Sequence, residues 1–293
     1  MKFSQMLSAL VSLTLVAMML RVGLDLTLAA VADTVKDWRF VFRALVANYI
    51  FVPICTLILL MLLHPKPLVA VGFLILSTCP GAPFAPPLTS IARGNVAASV
   101  SLMIILAASS AILAPLLLKL LIPYVSLHEA ANIDLSKMLT TLFITQLLPL
   151  CIGIGLRSRY PLSAASLMKP ISLTVNILLG ASLLVVVSTQ YRTLLGIRSV
   201  AVLAMFALLV SCLTIGWLSG GTNAEIRKAT ALTTSFRNAG VGMVIASGLN
   251  DSAVLAAVVA YTLVSTVGTM LTALWWGKHP KSTIGPAKAA TLH

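Results

Sequence analysis

Within the apolar stretch 230–247 the chain places Thr233-Thr234-Ser235-Phe236-Arg237-Asn238-Ala239-Gly240. Hydroxyls, an amide and a guanidinium at this spacing can hold an anion or join a buried polar network. An arginine followed by an asparagine and a glycine does not suit a lipid-facing helix. Gly240 is read as supplying freedom at positive φ. A second apolar stretch is interrupted at Cys79-Pro80-Gly81-Ala82-Pro83-Phe84-Ala85-Pro86-Pro87. Each proline lacks an N–H and removes a helical bond, so this cluster predicts a break. Its freed carbonyls can bind cations, and the N-terminus of a following half-helix near Thr89 and Ser90 can favour an anion. Non-helical backbone at membrane depth survives only where protein or a water-filled cavity satisfies it. Two interrupted spans, one in each half, point to the binding site of a secondary transporter. The plainer readings are a proline-kinked structural helix and a small-residue helix crossing; Arg237 argues against the second.

Two further ionisable residues fall inside apolar runs. Arg21 and Asp25 are four apart on one helix face, where they can pair structurally or carry a proton. The histidines His64, His128, His279 and His293 fall at span ends or in tails, so none is a relay candidate. The cysteines Cys55, Cys79, Cys151 and Cys212 lie in apolar runs without C-x-x-C spacing. They read as small buried hydrophobes, and no disulfide or metal site is implied.

These groups must be positioned by membrane-spanning helices. Of 293 residues 59% are hydrophobic, 9% are charged and the mean hydropathy is +1.04, which excludes a soluble fold. With about 20 apolar residues per crossing, nine spans are expected, at roughly 5–30, 39–63, 67–92, 95–123, 136–157, 164–189, 196–219, 226–249 and 252–276. The fold class is an all-α polytopic bundle over 1–277 with a tail over 278–293. The first span could pass for a signal peptide but lacks a small-x-small cleavage site before Arg21. The net charge of +13 reads as basic loops that set orientation, because no basic-aromatic surface offers stacking for nucleic acid. Apart from Arg21 and Arg237, the basic residues sort twelve to six between the two sides. The richer side should be cytoplasmic and should hold the C-terminus, leaving the N-terminus outside.

Cys79-Pro80-Gly81 followed by Ala92-Arg93-Gly94-Asn95-Val96-Ala97-Ala98-Ser99 resembles the C-P-G-G…A-R-G-N-V-A-L-S signature of the bile acid:sodium symporter family. Phe236-Arg237-Asn238-Ala239-Gly240 is similar to its M-Q-N-S-G segment, and Ala47-Asn48-Tyr49…Pro53 to its A-Q-F…M-P segment. The resemblance spans nearly the whole chain. It implies two inverted repeats that form panel helices, at roughly 5–63 and 136–189, and core helices, at roughly 67–123 and 196–276. The broken helices, including Pro86, would cross in the core. Bacterial members with ten spans begin and end in the cytoplasm, so a chain lacking the first span matches the charge sorting.

The departures bear on the ion chemistry. Sodium-coupled members carry a glutamate five residues before the asparagine of the second break, where this chain has Thr233. A glutamine usually precedes that asparagine; here it is Arg237. A serine-asparagine pair in the first break is here Ala85-Pro86, a threonine or serine after Ser99 is Met103, and a glutamine is the shorter Asn48. Of the side-chain sodium ligands, Ser99 survives and Asn48 and Thr233 are neutral replacements. A fixed guanidinium about 4 Å from a cation opposes it by roughly 4 kcal/mol at an effective dielectric of about 20. The sequence therefore predicts a secondary transporter of a small or amphipathic organic anion, in a bacterial inner membrane, that does not use the family's two sodium sites. No other cofactor is expected, and no oligomeric state is set. Arg237, Asn238, Thr233, Ser235, Thr89 and Ser90 are the expected site residues, with Asn48 and Ser99 as residual ion-site positions. A sodium-coupled symporter and a non-transporting sensor remain as rival readings. No H-E-x-x-H, acidic metal motif or nucleophile elbow supports an enzyme.

Overall fold

The computed structural model describes residues 3–25, 37–125, 134–195, 199–249 and 251–279. Among the described residues the chain is helical, with no strand. Helix α1 spans Phe3–Asp25 and α2 spans Trp38–Leu63. The first broken pair is α3 (Pro67–Ser77) and α4 (Ala85–Ile91), followed by α5 (Val96–Leu121). Helix α6 runs through Leu135–Leu142, Phe143–Leu147 and Leu148–Arg159. Then come α7 (Pro161–Leu195), α8 (Ser199–Ser219), the second broken pair α9 (Ala224–Ser235) and α10 (Ala239–Gly248), and α11 (Ser252–Lys278). Among the described residues seven helices are long and apolar enough to cross a membrane: α1, α2, α5, α6, α7, α8 and α11.

Local chemistry fixes the helix ends. Side chains of Asp37, Asn95, Asp134, Asn223, Asn238 and Asp251 each accept a backbone N–H in the first turn of the helix that follows. Within α2 and α6 one turn widens to a π-helix, at Ala47–Phe51 and Phe143–Leu147. Each is followed by a proline, Pro53 or Pro149, whose missing N–H breaks the regular ladder. The π turns swing Asn48 and Gln146 into the bundle, where both are fully buried.

Helix α1 packs along α6 and α7, and α10 crosses it. The α1–α6 crossing is close because Gly23 and Gly153 face each other: a Cβ on Gly23 would lie 2.9 Å from the Gly153 Cα. Residues 39–63 pack on α8 and α3, and Val52, Thr56 and Leu60 of this stretch are buried. The outer faces of α2, α7, α8 and α11 expose Leu62, Leu173, Leu218 and Leu271, as a lipid-facing surface requires.

Three expectations are corrected here. Only Pro80 and Pro83 of the proline cluster lie in non-helical backbone. Pro86 and Pro87 sit in the first turn of α4, where a missing N–H costs no bond. Consequently Thr89 and Ser90 fall in the last turn of α4, not at its N-terminus. Gly240 is helical in α10, and among the described residues the glycines at positive φ are Gly81 and Gly221. Of the cysteines, Cys79 and Cys212 are buried, Cys55 is half-buried and Cys151 is exposed on the outer face of α6. Residues 280–293 of the expected tail, with part of the first span's C-terminal end, lie outside the described residues.

Candidate functional site

The two breaks meet. The Asn238 N–H donates to the Cys79 carbonyl at 2.8 Å, and its side-chain Nδ2 reaches the Gly81 carbonyl at 3.4 Å. Asn238 Oδ1 accepts from Val241 N at 3.3 Å and so caps α10. One amide therefore satisfies backbone from both interrupted spans. Gly81 is required at its place: φ is +84°, and a Cβ there would lie 2.3 Å from Ala107 N on α5.

Arg237 bridges these breaks to α2. It is 2% exposed. Its Nε donates to the Leu76 carbonyl at 3.1 Å, Nη1 donates to Asn48 Oδ1 at 2.7 Å and to the Thr234 carbonyl at 3.1 Å, and Nη2 donates to the Ser77 carbonyl. The carbonyls of Leu76 and Ser77 end α3, and that of Thr234 ends α9. The last carbonyls of a helix lack intrahelical donors and carry its partial negative charge. Two half-helix C-termini thus converge on one guanidinium, with neutral acceptors in place of a carboxylate. Asn48 is held in turn, its Nδ2 donating to the Ala44 carbonyl at 3.0 Å and to Thr234 Oγ1 at 3.2 Å.

A second network of hydroxyls lies alongside. Thr89 Oγ1 donates to the Ala85 carbonyl and to Ser99 Oγ, both at 3.0 Å, and Ser99 Oγ pairs with Thr233 Oγ1 at 3.0 Å. Thr89, Ser99 and Thr233 are all fully buried, and they tie α4, α5 and α9 together. Ser235 is bonded to the Leu232 carbonyl and accepts from Thr269 Oγ1 at 3.2 Å. The structure thus brings together Asn48, Thr89, Ser99, Thr233, Ser235, Arg237 and Asn238. Pro86 is buried beside them, while Ser90 is exposed at the end of α4 and outside the networks. Arg21 and Asp25 sit at the C-terminal end of α1, half-buried and exposed, away from the crossover.

The oxygens that could ring a cation are largely engaged. Asn48 Oδ1 and three carbonyls accept from Arg237, and the Ser99 and Thr233 hydroxyls pair with each other. The donor set offers no carboxylate to offset the desolvation of a sodium ion.

Gln146 is a residue that the sequence reading passed over. Its Nε2 donates to the Ala107 carbonyl and to Ser110 Oγ at 2.8 Å, while its buried Oε1 has no partner among the described residues. Ala107 is the residue against which Gly81 packs, so Gln146 joins α6 to the back of the first break. The available signal was an amide three residues before Pro149 in an apolar span, the same kind of signature that marks Asn48 before Pro53.

Interrupted helices that meet inside an apolar bundle are the arrangement found at the binding sites of membrane transporters. The sequence matches the Sodium Bile acid symporter family over residues 12–197, and the chain belongs to that family. Its relatives include the Uncharacterized sodium-dependent transporter YocS of Bacillus subtilis (strain 168), 25% identical over 98% of this chain and 88% of that one. The Arabidopsis thaliana protein named Probable sodium/metabolite cotransporter BASS1, chloroplastic, is 27% identical over 90% of this chain and 66% of its own length.

Proposed function

We propose that this membrane transporter moves a small or amphipathic organic anion by alternating access without using the family's two sodium sites. The observation that carries the reading is the Arg237 guanidinium, buried at the meeting point of the α3 and α9 C-termini. A permanent charge there acts as a built-in cation: it neutralises the helix ends that a bound ion would otherwise serve, and it does not dissociate. The substrate anion then binds at the N-terminus of α10, beside Asn238, where the helix dipole and the nearby guanidinium both favour negative charge. Arg237 holds the crossover and sets its potential; its donors are already taken up by protein carbonyls and Asn48. In this reading nine spans form two inverted repeats, α3–α4 and α9–α10 counting as one span each. The packing supports a panel of α1, α6 and α7 and a core of the remaining helices. The N-terminus faces outward across a bacterial inner membrane and the C-terminus inward.

The names of the relatives favour a second reading, sodium-coupled symport. The test is uptake of radiolabelled small carboxylates and sulfonates into proteoliposomes, with a sodium gradient and with choline in its place. Transport at equal rates under both conditions supports the proposal. Uptake that requires the sodium gradient establishes the second reading, and binding without movement of any anion establishes a sensor.

A further inference from the structure

A groove of about 330 Å³ runs between α2 and α8, away from the crossover. Phe42, Val46, Phe51, Ile215 and Leu218 make it apolar, and Phe42, Phe51 and Leu218 open it onto the lipid-facing surface. Two polar side chains reach it. Ser219 Oγ is bonded to the Gly216 carbonyl at 2.9 Å. Arg43 is different: its Nε donates to the Arg39 carbonyl at 3.3 Å, and among the described residues its terminal nitrogens have no hydrogen-bond or ion-pair partner.

The Arg43 guanidinium lies over the α8–α9 turn. A Cβ at Gly221, which stands at φ +76°, would be 3.2 Å from Nη1. Arg227 reaches the same turn from the other side, its Nε donating to the Gly221 carbonyl and its Cζ standing 5.7 Å from the Trp217 ring. Two guanidiniums therefore flank Gly221 at one end of an apolar groove. Asp37 Oδ1 accepts the Phe40 N–H at 3.2 Å, and among the described residues Asp37 makes no ion pair with Arg43. Charge sorting makes this the cytoplasmic end, the side where anionic lipid headgroups meet membrane proteins.

We propose that this groove is a site for an anionic phospholipid. The phosphate forms paired hydrogen bonds with the Arg43 fork. The acyl chain lies along Val46, Phe51 and Ile215. A soluble metabolite would not fit this lining, because it offers one free charged group, no second polar anchor and an open side facing lipid. The site adjoins the π turn of α2 that carries Asn48, so its occupancy touches the helix to which Arg237 is tied.

The inference does not depend on the substrate or on the coupling ion. Its test is native mass spectrometry of the purified full-length protein, equilibrated with detergent micelles holding equal phosphatidylglycerol and phosphatidylcholine. Wild type should retain phosphatidylglycerol in roughly tenfold preference, the scale of one charge-assisted contact. Arg43→Gln should abolish the preference, and Lys119→Gln, at the far end of α5, should leave it unchanged. Val46→Trp, which fills the groove while keeping Arg43, should reduce retention of phosphatidylglycerol. Equal retention of the two lipids by wild type, an unchanged preference in Arg43→Gln, or unchanged phosphatidylglycerol retention in Val46→Trp overturns the proposal. Loss of binding on addition of inorganic phosphate alone shows an anion site without a lipid and overturns it too.

Discussion

Arg237 Nη1 donates to Asn48 Oδ1 at 2.7 Å, linking the second helix break to the π turn of α2. The two residues are 189 apart in sequence. The bond makes the guanidinium part of the scaffold that fixes the crossover. Four hydrogen bonds donated by one buried side chain hold α2, α3 and α9 in register.

Arg237→Ala should destabilise the purified protein by more than about 3 kcal/mol, because it leaves buried acceptors of three helices unpaired. Arg237→Lys should recover only part of this, since an ammonium cannot reproduce a planar fork directed at separate helices. Thermal unfolding followed by intrinsic fluorescence measures both. A melting temperature unchanged in Arg237→Ala would show that the network contributes little.

Asn48→Ala should lower stability and Asn48→Asp should not. The alanine removes an acceptor from a buried guanidinium and costs about 1–3 kcal/mol. The aspartate supplies a carboxylate to that guanidinium and should match or exceed wild type, although it gives up the Nδ2 bonds to Ala44 and Thr234. Thermal unfolding of the two variants side by side decides it.

Ser99 is the hub of the hydroxyl network, touching both Thr89 and Thr233. Ser99→Ala should cost about 1–2 kcal/mol, more than Thr89→Val, because Thr233 loses its described partner. Equal melting temperatures for Ser99→Ala and wild type would remove the network from the account.

Gln146→Leu should leave stability within about 1 kcal/mol of wild type. It removes an unpaired buried acceptor, and Ser110 keeps its bond to the Ala107 carbonyl at 2.8 Å. Its effect should appear in transport, because Gln146 makes the side-chain hydrogen bonds that join α6 to α5. Unchanged stability with altered exchange rate in proteoliposomes is the expected pair of results.

The interruptions were legible in the sequence because their residues have no other use in an apolar helix. Arg237-Asn238 and the Pro80–Pro83 run mark the crossover almost residue by residue. The start of α4 was not legible. Prolines break a helix or begin one, and Pro86-Pro87 begin one, which displaced the expected position of Thr89 and Ser90 by a turn. The fate of the Arg237 guanidinium was open as well: the alternatives were a substrate contact and a structural cation. Its acceptors are backbone carbonyls, which carry no signature in the side-chain sequence. Gln146 escaped for a related reason. A single amide in a span reads as tolerable until packing shows it bonded to Ala107 and Ser110 of α5.

The central claim is that Thr233 and Arg237 replace the sodium chemistry of the family. The most direct measurement is thermal stability in sodium against choline chloride at equal ionic strength, for wild type and for the double variant Thr233→Glu/Arg237→Gln. That variant introduces the glutamate and glutamine that the family resemblance implies for sodium-coupled members. The account predicts no sodium-dependent shift in wild type and a clear stabilisation by sodium in the double variant. Stabilisation of wild type by sodium that persists at matched ionic strength and is lost when potassium replaces sodium would contradict it.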